Sequence, residues 1–289
     1  MNAGRGHHAG SYESMAGDQE LRQAWQDPAH ADFFDSRATY SLWRLRKVYE
    51  NFNEFRLFLG QKSEIKGREF IEIGCATGEL YRYLRKYHRE FRYRGFDISK
   101  PAIERARQKY PEGCFELCKP DLSDVIAGDV RPAVVWARDV VQHQPDPFGY
   151  LSRLLQIANE VTILRIRTRD KGATVLDPKL SCQWHYNRWV PYIVLNMGEM
   201  LDVIRNVIPL GNLVVVKRYV QLGGLHNRFL PKECYYPHTG TAETSLYIAR
   251  SEGGHSIPQV LVSTREDSDY VPPLILRGLD YVRRRLFAL

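Results

Sequence analysis

The chain has 289 residues, of which 44% are apolar and 26% are charged, so it can bury a substantial core like an ordinary globular protein. Its five scattered cysteines are too few for a disulfide framework, and no apolar run approaches the roughly 20 residues that cross a bilayer. The N-terminus lacks the apolar core of a secretory signal, which predicts a cytoplasmic protein. The net charge of +7 fits either a solvated basic helix face or an acidic partner such as nucleic acid.

The first part of the chain precedes any strand pattern. Residues 1–17 are rich in Gly, His and Ser and are predicted to be a disordered tail. Residues 18–60 carry two helical patterns, a weak one and a firmer one after Ser41, and either Thr39 or Ser41 is the candidate N-cap of the second. These helices predict an N-terminal cap, which either forms a lid over a cleft or packs against the sheet edge.

Residues 61–250 alternate between short apolar strands and amphipathic helices. Such alternation predicts βαβ units and a mostly parallel sheet with helices on both faces. Seven strands are predicted: residues 68–73, a short strand ending at Asp97, 114–118, 133–137, 160–166, 212–220 and 245–249. The last two have no helix between them and are therefore expected to form an antiparallel hairpin at the sheet edge.

Two segments depart from the alternation. Residues 168–197 follow the fifth strand and form an aromatic insertion at the edge where open α/β sheets bind ligands. Trp184, Tyr186 and Arg188 are predicted to wall an acceptor pocket there, with a small second core or a dimer contact as the alternative. Residues 251–289 form a C-terminal extension with a basic amphipathic helix, which suits an anionic membrane surface, the domain itself or a partner subunit.

The most informative stretch is residues 68–80, which read R-E-F-I-E-I-G-C-A-T-G-E-L. A buried strand, a turn of small residues and a helix start follow one another, and glycines let backbone approach a ligand closely. Asp97 lies 19 positions after Gly78, near the spacing at which nucleotide-binding units place an acid on the ribose hydroxyls. The alternative role for Asp97 is to cap the next helix.

Known nucleotide fingerprints do not match this stretch fully. A dinucleotide site requires G-x-G-x-x-G, and the third glycine is absent. A nucleoside triphosphate site requires G-x-x-x-x-G-K followed by Ser or Thr, which the chain lacks. Cys114 and Cys118 have no second cysteine pair and no nearby histidine, so no zinc site and no catalytic metal are predicted.

The segment E-I-G-C-A-T-G-E-L resembles motif I of the class I S-adenosylmethionine-dependent methyltransferases. Glu72 matches the acid of that motif, Gly74 and Gly78 match its outer glycines, and Ala76 stands where the middle glycine usually lies. The resemblance covers about residues 65–220 and implies a Rossmann-like fold. It also implies S-adenosylmethionine as the methyl donor and S-adenosylhomocysteine as the product.

The same resemblance implies further cofactor contacts. Asp121 matches the acid that accepts from the adenine amino group, although an acid that starts a turn is the alternative, and Leu122 would pack on the base. Arg138 and Asp139 would lie under the methionine portion. The implied cofactor-binding set is Glu72, Gly74, Cys75, Ala76, Gly78, Asp97, Ile98, Asp121, Leu122, Arg138 and Asp139.

The predicted reaction is methylation of a small or medium acceptor, with oxygen of a sugar or secondary metabolite favoured. His143 and His185 are the candidate general bases, and a structural role is the alternative for each. The segment after the fourth strand lacks the Pro-Pro motif of nucleic-acid amino-methyltransferases. RNA methylation, which the basic charge favours, and a non-catalytic scaffold of the same fold remain the alternative functions.

Overall fold

The computed structural model describes residues 24–35, 40–128, 131–177, 180–185, 188–220, 222–223, 235–236, 240–251 and 259–265. The predicted disordered tail, Tyr186 and the predicted basic C-terminal helix lie outside the described residues. Within the described ranges, no helix combines the length and the apolar character that a membrane crossing requires.

Thirteen strands are present in the described ranges. They are β1 (Glu69–Ile73), β2 (Arg92–Asp97), β3 (Cys114–Leu117), β4 (Val134–Arg138), β5 (Val161–Arg169), β6 (Cys182–His185), β7 (Arg188–Pro191), β8 (Leu195–Asn196), β9 (Leu210–Tyr219), β10 (Leu222–Gly223), β11 (Tyr235–Tyr236), β12 (Thr241–Arg250) and β13 (Gln259–Arg265). Nine of them form one central sheet, while β6 with β7 and β10 with β11 form two separate hairpins.

The central sheet has the order β13–β9–β12–β5–β4–β1–β2–β3, and β8 pairs with the end of β5. Neighbouring strands from β3 to β5 are parallel, whereas β12 is antiparallel to both of its neighbours. The strand order reverses between β1 and β4, and open α/β sheets bind ligands in the crevice at such a point. The predicted mostly parallel sheet is confirmed, and the predicted motif lies at its crevice.

The far end of the sheet differs from the prediction. The sequence predicts seven strands, and the sheet has nine because β8 and β13 join it. The predicted antiparallel pair, β9 with β12, is present but does not form the edge, since β13 lies parallel along β9. The composition of residues 251–265 reads as polar overall, which hides the short β-branched run Q-V-L-V-S-T-R that forms β13. The aromatic insertion contains the β6–β7 hairpin.

Eight α-helices lie within the described ranges. They are α1 (Pro28–Asp35), α2 (Leu42–Asn51), α3 (Asn53–Gln61), α4 (Glu79–Tyr87), α5 (Lys100–Lys109), α6 (Ser123–Ala127), α7 (Pro147–Ile157) and α8 (Met197–Val207). Side-chain N-caps start several of them: Ser41 accepts from the Arg44 N–H, and Ser99 accepts from the Ala102 N–H. Short 3₁₀ turns occur at Ala24–Gln26, Lys62–Glu64 and Val141–His143.

The helices cover both faces of the sheet, and the two cores differ in character. Under α2, α3, α4 and α5 lies an aromatic core that includes the fully buried Phe55, Tyr83 and Trp136. Under α6, α7 and α8 lies an aliphatic core that includes Leu154 and Met200. Burial on both sides explains why β4 has four consecutive buried apolar residues rather than an alternating pattern.

The sequence predicts one helix over residues 42–55, but the structure divides it at Phe52. This residue is extended, with φ −75° and ψ 137°, so it ends α2 and starts α3. The helical spacing of apolar residues continues across the break, because both helices bury the same face against the sheet. Periodicity therefore could not locate the break.

One buried carboxylate joins α3 to the sheet. Glu54 is 1% exposed, and its Oε2 accepts a hydrogen bond of 3.0 Å from the Ser245 hydroxyl of β12. Its Oε1 lies 3.3 Å from Arg138 Nε and 3.6 Å from Arg165 Nη1. Because an isolated charge is costly in a buried site, this carboxylate and the two arginines depend on one another.

We expect Glu54→Gln to lower the free energy of unfolding by about 3–5 kcal/mol, since it leaves two buried guanidinium groups short of a counter-charge. Urea unfolding followed by circular dichroism measures the change. The matched control, Ser245→Ala, removes only the hydroxyl partner of Glu54 and should cost about 1–2 kcal/mol. Equal losses in the two variants would contradict the electrostatic role of Glu54.

Candidate active site

The loop between β1 and α4 has an unusual backbone. Gly74, Ala76 and Gly78 all have positive φ values, of 80°, 45° and 83°. At Gly74 a Cβ would come within 2.6 Å of Val140 Cγ2, so glycine is required both for the angle and for the close packing. The Gly74 and Cys75 N–H groups donate to the carbonyl of Phe96 at 2.8 and 3.0 Å, which fixes the loop to β2.

Asp97, at the end of β2, holds the loop from the other side. Its carboxylate is buried, with Oδ2 accepting from the Ala76 N–H and Oδ1 accepting from the Ser99 N–H, each at 2.8 Å. The second bond goes to the N–H of Ser99, the N-cap residue of α5, so Ser99 rather than Asp97 caps this helix. An ionised carboxylate has about four lone-pair sites, so these two bonds leave capacity for further hydrogen bonds.

Glu72, at the end of β1, is buried beside Tyr93, whose hydroxyl donates to Oε2 at 2.5 Å. Burial raises the pKa of Glu72 to about 8, although the Tyr93 hydrogen bond and the charge of Arg138 oppose the rise, while Asp97 and Glu79 add to it. A cationic ligand beside Glu72 would favour its ionised form.

The cavity at this crevice has a volume of about 310 Å³. It brings together most of the predicted site residues, namely Glu72, Gly74, Cys75, Ala76, Asp97, Ile98, Arg138, Asp139 and His143. It also contains residues that the sequence analysis did not single out, namely Trp25, His30, Phe33, Phe34, Tyr49, Thr77, Glu79, Cys118, Pro120, Gln144, Tyr150, Arg165 and Gln183.

The N-terminal segment covers one side of the cavity. The 3₁₀ turn and α1 supply four aromatic rings to the lining: Trp25, His30, Phe33 and Phe34. Ion pairs hold α1 against α5, since Arg105 contacts both Asp32 and Asp35, and Lys109 contacts Asp35. The segment therefore lies over the crevice and is fixed by surface charges.

The end of β4 carries a network of buried charges. Asp139 has a φ of 55° and accepts from the Arg165 guanidinium through both oxygens. Burial by itself would raise the pKa of Asp139, but the charges of Arg165 and Arg167 outweigh burial and hold it well below its usual range. Arg167 in turn bonds to Glu243 at 2.5 Å and to the Tyr192 hydroxyl at 3.0 Å.

His143 follows β4 and lies between two aromatic rings. Its ring centroid is 4.8 Å from that of Trp25 and 5.7 Å from that of Tyr192. Nδ1 lies 2.8 Å from the Pro191 carbonyl oxygen, and a carbonyl only accepts, so Nδ1 carries the hydrogen. In the neutral ring the basic nitrogen is then Nε2.

Two of the other predicted residues lie outside the cavity lining. Leu122 is fully buried in the aliphatic core, and Asp121 is exposed and accepts from the Ser123 N–H, so neither lines the cavity. The same segment contributes Cys118 and Pro120 instead. Trp184, His185 and Arg188 belong to the β6–β7 hairpin, where Trp184 pairs with Trp189 and His185 with Arg188. Within the described ranges, no group of three His, Cys, Asp or Glu residues could hold a metal ion.

Of the residues that the sequence analysis missed, Arg165 alone had a usable signal. It is a charged residue inside E-V-T-I-L-R-I, a strand that is otherwise apolar and central, and a buried charge requires a partner. The aromatic residues of α1 and Tyr49 carry no such signal, because their positions depend on how the N-terminal segment crosses the crevice.

We expect Glu72→Gln to raise the melting temperature relative to the unmodified protein, by an amount that depends on pH. The folded protein holds a proton on Glu72 up to about pH 8, whereas an unfolded chain releases it near its ordinary value of 4.5. Stability of the unmodified protein therefore falls as pH rises between those values, while glutamine does not titrate. The difference should grow from pH 5 to pH 8 and then become constant. Glu69→Gln, on the same strand and paired with Arg92, is the control, and a pH-independent difference for Glu72→Gln would contradict the assignment.

A family profile described as "Methyltransferase domain" matches residues 19–196, which is more than half of the chain. No curated protein matches the sequence.

Solved structures that are similar to this chain include three methyltransferases. The magnesium protoporphyrin IX methyltransferase of Synechocystis PCC 6803, crystallised with bound S-adenosylmethionine, has 15% identity and a TM-score of 0.47 over 83% of this chain and 99% of that one. A plantazolicin methyltransferase in complex with a triazolic desmethylPZN analogue and S-adenosylhomocysteine has 13% identity and a TM-score of 0.49, over 80% of this chain and 94% of that one. The O-methyltransferase of a polyketide multienzyme of Brevibacillus brevis has 16% identity and a TM-score of 0.46, over 65% and 61%. By its family profile, this chain belongs to the methyltransferase domain family.

Proposed function

We propose that the chain is an S-adenosylmethionine-dependent methyltransferase that methylates an oxygen of a small or medium acceptor, such as a sugar or a secondary metabolite. The observation that carries the proposal is the crevice at the ends of β1, β2 and β4. There, a loop of small residues with positive φ angles lines a cavity. Two buried carboxylates, Glu72 and Asp97, line the same cavity.

The acidic side chains of the cavity lining suit a positively charged donor. S-adenosylmethionine carries a sulfonium and an ammonium group, and the lining includes the side chains of Glu72, Glu79 and Asp97. Asp97 would hold the ribose hydroxyls with its remaining lone pairs, because a carboxylate can accept two hydrogen bonds from a vicinal diol. Ile98, Cys118 and Pro120 supply a less polar wall that suits the adenine.

When bound, the donor supplies an activated methyl group on a sulfur leaving group. The protein's own contribution is then mainly to align the acceptor oxygen with that methyl group, which can be worth roughly 7–11 kcal/mol. A hydroxyl acceptor must also lose its proton. His143 is the residue that we assign to this step, because its Nδ1–H is fixed on the Pro191 carbonyl and its basic nitrogen is Nε2.

The dimensions of the cavity favour a small acceptor over an RNA chain. Its volume of about 310 Å³ lies at the lower end of the roughly 300–1,000 Å³ that small-molecule sites occupy. The aromatic residues of α1 and the preceding turn cover it further. A polymer would require this N-terminal segment to be displaced.

We expect Asp97→Asn to weaken S-adenosylhomocysteine binding by about 10- to 100-fold, the loss associated with hydrogen bonds to a charged acceptor. Calorimetric titration measures the affinity. The matched control is Asp121→Asn, another carboxylate that follows a parallel strand and accepts a backbone N–H, but one that lies outside the cavity. Unchanged affinity in Asp97→Asn, with the unmodified protein binding normally, would contradict the cofactor site.

We expect His143→Asn to lower the turnover rate by about 10²- to 10⁴-fold while leaving S-adenosylhomocysteine affinity within threefold. Asparagine keeps a donor for the Pro191 carbonyl but has no basic nitrogen. Release of S-adenosylhomocysteine over a panel of hydroxyl-bearing acceptors measures turnover and also separates an enzyme from a non-catalytic scaffold. His88→Asn, in the aromatic core away from the cavity, is the control. A near-normal rate in His143→Asn would rule out the base.

A further inference from the structure

A series of aromatic rings runs along the N-terminal side of the cavity and ends beside His143. Ring centroids lie 5.2 Å apart for Phe33 and Phe34, 5.0 Å for Phe34 and His30, 5.5 Å for His30 and Trp25, and 4.8 Å for Trp25 and His143. All five residues line the cavity. Phe33 is also 41% exposed, so the series extends from the molecular surface to His143.

Trp25 is the ring of this series that meets the residue assigned as the base. His143 lies between the rings of Trp25 and Tyr192, and of these two neighbours Trp25 lines the cavity. The Trp25 indole is half-buried and packs against the His30 ring at an interplanar angle of 85°, which helps to orient it. A molecule whose reacting group lies at His143 therefore lies beside the indole.

The wall that these rings form is apolar. Phe33, Phe34 and Trp25 are uncharged, and burial lowers the pKa of His30, although the charge of Asp97 opposes this effect, so His30 is neutral near pH 7. An aromatic ring packs favourably on such a wall, in offset or edge-to-face contact. Each hydroxyl of a sugar, in contrast, requires a hydrogen-bond partner when it leaves water.

The polar side chains that follow this part of the cavity already have partners. Three pairs at and after the end of β4 are formed within the protein: Asp139 with Arg165, Arg138 with Glu54, and Gln144 with the Val140 carbonyl. Recognition of an acceptor near His143 therefore depends on aromatic contact more than on hydrogen bonds.

The chemistry of proton removal favours an acidic hydroxyl. An imidazole has a reference pKa of about 6.5, a phenol of about 10 and water of about 15.7, and an aliphatic hydroxyl is close in acidity to water. A single imidazole base thus removes a phenolic proton against about 3.5 pKa units, but an aliphatic hydroxyl proton against about nine. Aromatic contact and proton removal point to the same class of acceptor.

We propose that the acceptor is a planar aromatic compound with a phenolic hydroxyl, and that Trp25 is the specificity-determining residue that contacts its ring. The proposal rests on the proposed function and narrows its acceptor to phenols. The phenolic proton passes to Nε2 of His143 and later to water. The phenolic oxygen forms a bond to the methyl carbon as the sulfur–methyl bond breaks. The electron pair of that bond stays on sulfur, so the sulfonium becomes the neutral thioether of S-adenosylhomocysteine.

The first experiment measures binding rather than turnover. 2-Naphthol, decahydro-2-naphthol and methyl β-glucoside are each titrated into the complex with S-adenosylhomocysteine by calorimetry. The first two probes share the carbon skeleton and the hydroxyl, but only 2-naphthol is planar and aromatic. We expect 2-naphthol to bind about tenfold more tightly than decahydro-2-naphthol, and the glucoside to bind more weakly than either.

Variants of Trp25 test its part in this preference. Trp25→Leu should lower the affinity for 2-naphthol about tenfold, with the affinities for decahydro-2-naphthol and S-adenosylhomocysteine kept within about threefold. Trp25→Phe retains a ring and should retain most of the preference. The matched control is Trp43→Leu, because Trp43 lies on α2 outside the cavity and is 64% exposed. In turnover, Trp25→Leu should lower the ratio of kcat/KM for 2-naphthol over decahydro-2-naphthol about tenfold, mainly through KM.

The proposal is overturned if the complex binds 2-naphthol no more tightly than decahydro-2-naphthol, or binds the glucoside most tightly. It is also overturned if Trp25→Leu changes the affinity for the two naphthols equally or not at all. Failure of the proposed function gives a different result: the unmodified protein would not bind S-adenosylhomocysteine. 2-Naphthol titrated against the protein alone then tests the aromatic wall. Affinity lost in Trp25→Leu and kept in Trp43→Leu supports it, whereas no binding, or equal binding to both variants, overturns it.

Discussion

The carboxylate of Asp97 is the constraint on which the crevice depends. One oxygen accepts from the Ala76 N–H and the other from the Ser99 N–H, so this single side chain joins the loop after β1 to the start of α5. The sequence offered ribose binding and helix capping as alternatives for Asp97. Ser99 caps α5, and the two bonds that Asp97 makes within the protein keep its oxygens at the cavity, with lone pairs left for a ribose.

A second constraint is the neutralisation of charge at the other end of the cavity. Three arginines and three carboxylates meet beneath the ends of β4 and β5, in a region that water hardly reaches. Ion pairs in such places contribute little net stability, because removing both partners from water offsets their attraction. Their effect is to fix positions. Asp139 is held on Arg165 and Arg167 on Glu243, while Arg138 lies beside Glu54 and stacks on Phe52.

Local sequence signals predicted seven strands of the central sheet, their mostly parallel arrangement and the loop, because a buried strand followed by small residues has few other uses. They failed where position depends on distant parts of the chain. Asp121 and Leu122 have the right spacing after β3, but the turn at Leu122, with φ of 60°, buries the leucine and directs the segment so that Cys118 and Pro120 line the cavity. The sequence patterns did not predict the helix break at Phe52 or the position of the aromatic residues of α1 over the cavity, because packing against the sheet determines both.

Within the described ranges, three non-glycine residues have positive φ and all follow strands at this crevice: Ala76 after β1, Leu122 after β3 and Asp139 after β4. Each such residue costs of order 1–3 kcal/mol and persists only where its surroundings hold it. Here the surroundings are evident: Asp97 holds the N–H of Ala76, the aliphatic core encloses Leu122, and Arg165 binds Asp139. Alanine in the place of the usual middle glycine is therefore compatible with the loop. The strain lies at the edge of the sheet that borders the cavity, and the hydrogen bonds and packing that offset it come from the body of the fold.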